Sequence, residues 1–307
     1  MMLPTLTTLF AISLISLLIY WRSDRETVSA ADFRVDSGYQ VASMEHGSTA
    51  YQSFGPNEGQ AVIIVHGGTL GSMAYQDYVP PLVKDGLRVI IYDQYGRGFS
   101  DRPKSKLTID LLRVQLLGLL NHLRIERAHL FGISLGGAII ARFAAEHGDR
   151  VLSLAYQVPA IRGVQPTLAL TLTRLPLIGA FFSRMVGIPA IIARGESFGG
   201  ESEEANRVRK HFINQFKVEG TERMLRDLII GDALSDRMAD HAKTAAAGTR
   251  AQFVYALDDP EIERADVEAT LSLYNEPDVH RYRGGHFFST GRTEELSEKL
   301  STFFRDL

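Results

Sequence analysis

A Gly-x-Ser-x-Gly pentapeptide at residues 132–136 constrains the fold of this 307-residue chain more than any other feature. It overlaps the end of an apolar run of strand character at 128–132 and directly precedes a helical pattern at 137–146. The glycines permit a sharp turn from strand to helix, which holds the serine in a strained backbone conformation with its hydroxyl exposed. The free N–H groups and the positive dipole end of the following helix point at the same place. We therefore predict that Ser134 is a nucleophile.

Short apolar runs alternate with longer helical patterns from about residue 31 onward. The runs at 61–65 and 89–92 are apolar throughout, as strands buried on both faces are. Further strand patterns lie at 41–45, 49–54, 151–156, 252–257 and 279–283, and further helical patterns at 75–84, 109–123 and 293–305. This alternation predicts an α/β fold with a mainly parallel sheet and helices on both faces.

The alternation stops between residues 158 and 248, where no run has the character of a buried strand. Amphipathic segments separated by four prolines predict a helical insertion between two strands of the sheet. Its first half, 167–193, is strongly apolar. Either these apolar faces pack on the domain below and on each other, or part of them lines an acyl-chain tunnel or touches a membrane.

A nucleophilic serine needs a base, and the base needs an orienting carboxylate. In the chain order expected after this turn, the acid and then the histidine follow the serine. An Asp-Asp-Pro sequence follows the strand pattern at 252–257, and a Gly-Gly-His sequence follows the one at 279–283. The carboxyl ends of parallel strands share one edge of a sheet, so these residues should lie at the edge that holds Ser134. We predict Asp259 as the acid, with Asp258 as the alternative, and His286 as the base.

A His-Gly-Gly-Thr sequence at 66–69 follows the strand pattern at 61–65. A tight glycine turn there can present backbone N–H groups to the negative charge that develops on an attacked carbonyl. We predict an oxyanion hole formed by the N–H groups of Leu135 and Gly68, with Thr69 as the alternative to Gly68. We expect the ring of His66 to brace the turn rather than to transfer protons.

An uncharged stretch from Leu3 to Trp21 opens the chain, and its length is close to the about 20 residues of a transmembrane helix. Aromatic residues at its end, followed by two arginines, are typical of a membrane interface. We expect residues 1–30 to form a retained single-pass membrane anchor. One alternative is a signal peptide cleaved after the motif at 28–30, which would give a secreted protein, and another is a buried helix of the fold. The flanking charges do not decide the side of the membrane.

Composition excludes other classes of site. A net charge of −3 argues against nucleic acid as a partner, because phosphate binding needs a basic face. The chain contains no cysteine, so disulfides, thiolate nucleophiles and thiolate metal sites are excluded. The sequence has no ligand cluster at metal spacing, and we expect neither a metal nor a cofactor.

These residues together resemble the α/β-hydrolase fold superfamily, in its capped, serine-nucleophile branch, and are similar to carboxylesterases and lipases, with some features of proline iminopeptidases. The resemblance covers about residues 45–307 and rests on HGG at 66–68, DQYGRGFSD at 93–101, GISLG at 132–136, LDDP at 257–260 and GGH at 284–286. It implies a central eight-stranded sheet, a core formed by 31–157 and 249–307, and a helical cap that the insertion at 158–248 would form. It also implies a triad of Ser134, Asp259 and His286, substrate-binding residues in the cap, and a structural turn at 93–101.

Several positions depart from particular branches of the superfamily. Ser134 stands where haloalkane dehalogenases and soluble epoxide hydrolases have an aspartate, and Thr69 stands where the hormone-sensitive-lipase type has a third glycine. Leu135 and Phe287 replace tryptophans usual in proline iminopeptidases and in carbon–carbon bond hydrolases, respectively. We predict a serine hydrolase that cleaves a carboxylic ester, lipid-like or of medium acyl length, through an acyl-enzyme. The alternatives are the same triad acting on a peptide or carbon–carbon bond, and a non-catalytic ligand-binding member of the fold.

Overall fold

Eight strands form one sheet in the computed structural model of the chain, which describes residues 3–163, 168–175, 178–196 and 202–306. The strands are β1 Gln40–Met44, β2 Gly47–Phe54, β3 Ala61–Val65, β4 Arg88–Tyr92, β5 Ala128–Ile133, β6 Val151–Gln157, β7 Ala251–Ala256 and β8 Asp278–Tyr282. Their order in the sheet is β1-β2-β4-β3-β5-β6-β7-β8. The pairs β1–β2 and β2–β4 are antiparallel and all the others are parallel. The predicted eight-stranded, mainly parallel sheet is confirmed.

Thirteen α-helices surround or extend from this sheet in the described chain. They are α1 Leu3–Arg22, α2 Ala30–Arg34, α3 Val79–Lys84, α4 Ile109–His122, α5 Leu135–Glu146, α6 Leu168–Arg174, α7 Ile178–Phe182, α8 Ile188–Glu196, α9 Glu203–Asn214, α10 Thr221–Ile230, α11 Met238–Ala246, α12 Arg264–Leu271 and α13 Thr293–Arg305. The helix predicted at 75–84 is instead a 3₁₀ segment, Ser72–Tyr78, followed by α3. Two prolines follow Val79, and proline fits the first turn of an α-helix but not its interior.

The apolar strands are buried because helices cover both faces of the sheet. Along β3, Val62 and Ile64 join one hydrophobic cluster, while Ile63 and Val65 join the other. This alternation is the two-residue period of a strand, and both of its faces are apolar here. One cluster includes residues of α4 and α5, and the other includes residues of α3 and α13. The strands therefore hold the carboxyl-end loops on a rigid base.

The segment between β6 and β7 contains helices α6 to α11. The predicted helical insertion is thus found, although 164–167, 176–177 and 197–201 of the expected range lie outside the described residues. A π-helical turn, Ser183–Gly187, joins α7 to α8 without a break. By length and composition, the resulting stretch at 178–196 is the one helix of the described chain that could cross a membrane, and Thr7–Arg22 is a shorter apolar helix.

Helix α1 precedes the fold, and its described side chains from residue 7 onward are almost all exposed. The N-terminal helix is therefore not buried in the fold, which was one of the alternatives. The chain after α1 binds to the helical insertion: the N–H groups of Thr27 and Val28 donate to the carbonyl of Lys217 at 2.7 and 3.0 Å, and the N–H of Glu219 donates to the carbonyl of Val28 at 3.0 Å.

Candidate active site

Ser134 occupies the sharp turn between β5 and α5, with φ 52° and ψ −115°. Positive φ is uncommon outside glycine, and a residue held there carries about 1–3 kcal/mol of strain. Two backbone hydrogen bonds, to the end of β6 and to the chain just after it, offset this strain: the N–H of Ser134 donates to the carbonyl of Gln157 at 3.0 Å, and its carbonyl accepts from the N–H of Ala160 at 3.0 Å. The side chain stays partly exposed. Ser134 therefore has the geometry predicted for a nucleophile at the carboxyl edge of the sheet.

The glycines of the pentapeptide are required by close backbone contacts. A Cβ at Gly136 would lie 1.8 Å from the carbonyl oxygen of Val65, and a Cβ at Gly132 would lie 2.5 Å from the carbonyl oxygen of Gly136. Both positions exclude any side chain, so α5 can start directly against β3 only with glycine there. The two glycines of the motif are thus required by close packing as well as by the turn.

A second strained residue follows β6 beside this turn. Val158 has φ 41°, an outlier for a β-branched residue, and it is buried. Its N–H donates to the carbonyl of Val254 in β7 at 2.9 Å. The segment that holds Ser134 is therefore itself held to the next strand of the sheet.

The structure brings Asp259 and His286 together. Oδ2 of Asp259 lies 2.8 Å from Nδ1 of His286, and its Oδ1 accepts from the N–H groups of Glu261 and Ile262 at 2.8 and 3.2 Å. The Asp259 side chain is 1% exposed. Burial acts to raise its pKa, but the hydrogen bond and charge of His286 and the two backbone donors outweigh burial and lower the pKa below its usual value. The ionised carboxylate makes Nδ1 the protonated nitrogen, which leaves the Nε2 lone pair free to accept a proton.

The alternative acid, Asp258, has a different environment. Its side chain is 55% exposed and lies 3.6 Å from Nη1 of Arg283, and its Oδ2 accepts from the N–H of Gly284 at 3.3 Å. Asp258 thus contacts the loop before His286, whereas Asp259 contacts the imidazole itself. This geometry favours Asp259 over Asp258.

The turn at 66–69 lies against the nucleophile. A Cβ at Gly67 would lie 3.5 Å from Cβ of Ser134, and a Cβ at Gly68 would lie 3.8 Å from Cβ of Leu135. The structure therefore places the residues predicted to form the oxyanion hole next to each other and next to Ser134. Which N–H groups act as donors to a bound carbonyl stays a prediction.

Two buried side chains fix the orientation of this turn. Nδ1 of His66 donates to the carbonyl of Gly67 at 2.7 Å, its Nε2 accepts from the N–H of Gln94 at 2.9 Å, and the carbonyl of Gly68 accepts from Nε of Arg97. Burial lowers the pKa of His66 to about 4, so its ring is neutral, as this bonding needs. In a planar trans peptide the N–H points away from the carbonyl, so binding these carbonyls also directs the N–H groups of Gly68 and Thr69. His66 braces the turn, as expected.

Tyr75 is a neighbour of the site that the sequence did not reveal. A Cβ at Gly67 would lie 3.4 Å from its hydroxyl, and the backbone of Gly67 forms a hydrogen bond with that hydroxyl. Burial raises the pKa of Tyr75 to about 12, so the O–H stays protonated. The residue lies in a 3₁₀ segment, where the expected helix gave no reason to direct its side chain toward Ser134.

Glu261 and Arg194 are two more unforeseen neighbours. Oε2 of Glu261 lies 3.9 Å from Nε2 of His286, and Glu261 forms an ion pair with Arg194 of α8. The Arg194 guanidinium also lies 5.4 Å from the centre of the Phe287 ring. These contacts join the helical insertion to the histidine loop. Within the described chain no hydrogen bond joins the Ser134 hydroxyl to His286, and that contact stays a prediction.

No group of three or more histidine and carboxylate side chains in the described residues is placed to hold a metal ion. The chemistry that the site offers is that of its own side chains. They are a partly exposed serine at a helix start, a histidine with one nitrogen fixed by a buried carboxylate, and a glycine turn with oriented N–H groups.

Comparison with known proteins identifies the fold. A family model described as alpha/beta hydrolase fold matches residues 60–194. The enol-lactonase from Burkholderia xenovorans LB400 superposes with a TM-score of 0.72 at 19% identity, covering 87% of this chain and 100% of that one. Bromoperoxidase from Bacillus anthracis gives 0.71 at 20% identity, covering 88% and 100%. The chain therefore has the α/β-hydrolase fold, as expected from the sequence.

Curated relatives are similar over shorter stretches. A haloalkane dehalogenase from Mycobacterium marinum is 34% identical over 122 residues, which are 38% of this chain and 41% of the relative. A 2-hydroxy-6-oxo-6-phenylhexa-2,4-dienoate hydrolase from Comamonas testosteroni is 40% identical over 98 residues, which are 31% and 34%. The chain thus covers about two fifths or less of the length of these relatives.

Proposed function

We propose that this protein is a serine hydrolase that cleaves a carboxylic ester, with Ser134 as nucleophile, His286 as base and Asp259 as orienting acid. The observation that carries the proposal is the 2.8 Å hydrogen bond between His286 and the buried carboxylate of Asp259, at the same sheet edge as the strained turn of Ser134. A carboxylate buried to this degree beside an imidazole serves orientation and charge stabilisation. Asp258, more exposed and paired with a surface arginine, offers neither.

The reaction follows from these positions. Nε2 of His286 takes the Ser134 proton as Oγ attacks the ester carbonyl, and the resulting oxyanion accepts hydrogen bonds from the N–H groups of Leu135 and Gly68. The tetrahedral intermediate collapses, the alcohol leaves with the proton from His286, and the acyl group stays on Ser134. A water molecule that gives its proton to the same histidine then releases the acid. Asp259 keeps the imidazole in the tautomer that both steps need.

A second candidate is hydrolysis of a carbon–carbon bond. The observation that favours it is the 40% identity over 98 residues to a 2-hydroxy-6-oxo-6-phenylhexa-2,4-dienoate hydrolase. Phe287, in place of the tryptophan usual in that branch, argues against it. Dehalogenation fits less well, because Ser134 stands where that branch has its aspartate. The peptide-bond and non-catalytic alternatives are decided by the same assay.

We also propose that α1 anchors the protein in a membrane, with secretion after cleavage as the alternative. Helix α1 has 20 residues, all uncharged except Arg22 at its end, and its length of about 30 Å is that of a bilayer core. The hydrogen bonds of residues 27 and 28 to the insertion support retention, because cleavage at 28–30 would remove them. The substrate is then an ester whose acyl chain partitions into lipid, and no nucleic acid partner is proposed.

The test is hydrolysis of p-nitrophenyl esters from acetyl to palmitoyl, beside a simple lactone, a peptide amide and a 2-hydroxy-6-oxo-dienoate. Ser134→Ala is the matched control, and a fluorophosphonate probe reports a reactive serine independently. The proposal expects ester turnover and labelling that both vanish in Ser134→Ala. Turnover of the dienoate alone would replace it with the second candidate, and a folded protein with neither labelling nor turnover would leave the non-catalytic alternative.

A further inference from the structure

Exposed apolar side chains concentrate on two elements of the described chain. On α1, nine large apolar side chains between Leu9 and Trp21 face solvent. The other concentration is on the helical insertion, where Leu168, Leu175, Ile178 and Val186 are exposed; we name these four residues the cap face. Soluble proteins seldom leave apolar side chains so close together without a partner.

The end of α1 rests on the same part of the insertion that carries the cap face. The ring of Tyr20 stacks on Phe181 with 6.2 Å between ring centres, and the guanidinium of Arg184 lies 4.2 Å from the centre of the Tyr20 ring. Phe181 and Arg184 lie between Ile178 and Val186 in one continuous helical stretch. The end of α1 therefore lies beside the stretch that carries Ile178 and Val186, two of the four residues of the cap face.

Ion pairs and hydrogen bonds hold the end of α1 against the insertion. Arg184 pairs with Asp24 at 3.2 Å and with Glu222 of α10 at 2.6 Å. The carboxylate of Glu26 accepts from the N–H groups of Gly220 and Glu222 at 2.9 and 2.7 Å, and so caps the start of α10. The contacts of Asp24 and Glu26 after α1 thus fix the direction in which that helix leaves the insertion.

We infer that the cap face lies on the lipid bilayer that α1 enters. Three observations favour lipid as the occupant. The helix is uncharged over 19 residues and long enough to cross the hydrocarbon core. Its end carries Tyr20, Trp21 and Arg22, residue types that occupy the headgroup level. Because Tyr20 is stacked on Phe181, the headgroup level of α1 is also the level of the helical stretch that carries Ile178 and Val186.

The consequence concerns delivery of substrate. Helix α8 continues from this stretch, and its Arg194 pairs with Glu261 in the loop of Asp259 and lies over the ring of Phe287, the residue after His286. One face of the insertion therefore contacts lipid while its other end borders the candidate active site. An acyl chain leaving the bilayer would enter under the insertion without crossing water. This last step rests on the proposed ester function, whereas the contact with lipid rests only on the proposed anchoring of the protein by α1.

The chain lacks cysteine, so single cysteines can be introduced without background. We would label Val186→Cys and Ile178→Cys with the environment-sensitive fluorophore NBD in the full chain, reconstituted into phosphatidylcholine vesicles with and without nitroxide-labelled lipid. Val41→Cys is the matched control, since Val41 is an exposed valine on edge strand β1. Trp21, the single tryptophan and 79% exposed, reports the position of α1 in the same samples.

The expected result is a blue shift and at least twofold nitroxide quenching at positions 178 and 186, with neither at 41. Quenching of Trp21 without quenching at 178 and 186 would overturn the inference while leaving α1 as an anchor. An apolar signal at 186 in detergent, rising with protein concentration, would assign the face to a second copy of the chain. None of these results depends on turnover, so failure here and failure of the ester assay are distinguishable.

An activity measurement extends the test. Val186→Glu should leave hydrolysis of a soluble short-chain ester within twofold and lower hydrolysis of a long-chain ester embedded in vesicles by about tenfold. Val41→Glu should change neither rate. Equal rates for the two variants on the embedded ester would contradict delivery through the cap face.

Discussion

Replacement of Asp259 by asparagine tests the site most directly, because it changes the charge and hydrogen-bonding character of one buried group and almost none of its volume. The amide oxygen can still accept from the N–H groups of Glu261 and Ile262, which now bind Oδ1 at 2.8 and 3.2 Å. That arrangement turns the amide NH₂ toward Nδ1 of His286, where the carboxylate accepted at 2.8 Å. Two donors then face each other, so the imidazole must move its proton to Nε2, the nitrogen that should receive the serine proton.

The expected loss is large. The wrong tautomer in a site with otherwise intact geometry costs about 10⁴ in kcat, which corresponds to about 5.5 kcal/mol of transition-state stabilisation. The assay is kcat and KM at pH 7–8 on the best ester of the series, with thermal unfolding to confirm that the variant is folded. Because the change acts on the proton transfer, kcat should fall while KM stays within a few fold.

Asp258→Asn is the matched control, since it makes the same substitution one residue earlier. Asp258 is largely exposed and contacts Arg283 and the backbone of Gly284, so its loss should change kcat less than threefold. A large loss in Asp258→Asn with little loss in Asp259→Asn would refute the assignment of the acid. Losses below tenfold in both variants would refute the role of a carboxylate in orienting His286.

Three further predictions concern stability. Gly136→Ala should yield little folded protein by circular dichroism and gel filtration, because its Cβ would lie 1.8 Å from a carbonyl oxygen of β3, while Gly148→Ala, with nothing within 4 Å, should fold normally. Burial lowers the pKa of His66 from 6.5 to about 4, so the unfolded chain binds a proton that the folded chain rejects, and stability falls as pH drops through this window. Urea unfolding should show about 3 kcal/mol of this loss between pH 7 and 4, absent in His66→Asn; an equal loss in both would disprove the assignment. Arg184→Met leaves the buried carboxylate of Glu222 without its 2.6 Å partner and should cost about 3 kcal/mol, whereas a cost below 1 kcal/mol would show that the pair is dispensable.

The parts of the fold that the sequence predicted are those with a strong local pattern. Strands buried on both faces need unbroken apolar runs, and the turn of Ser134 needs glycines because any Cβ at Gly132 or Gly136 would strike backbone. Both requirements can be recognised in a few consecutive residues of the sequence. The helical insertion could also be predicted from the sequence, because its segments have helical periodicity and prolines separate them.

The remaining features depend on contacts between distant residues. Asp258 and Asp259 follow the same strand and differ only in which way the backbone turns each carboxylate, so the sequence could only rank them. Arg194 and Glu261 are 67 positions apart and meet only once the insertion is folded over the core. The strained φ of Val158 is set by its hydrogen bond to β7, and a valine in the sequence gives no sign of it.

The two ends of helix α10 contact different parts of the molecule. Its start receives the carboxylate of Glu26, in the segment that leads from α1 to the fold. Further along the helix, Leu228 packs on the glycine turn, since a Cβ at Gly68 would lie 3.1 Å from its Cδ2. Met224 packs on Gly96, where a Cβ would lie 2.8 Å from the Cβ of Met224. A force that pulls on α1 would therefore act, through α10, on the glycine turn beside Ser134. The N-terminal segment and the glycine turn beside Ser134 are thus linked through about two turns of helix.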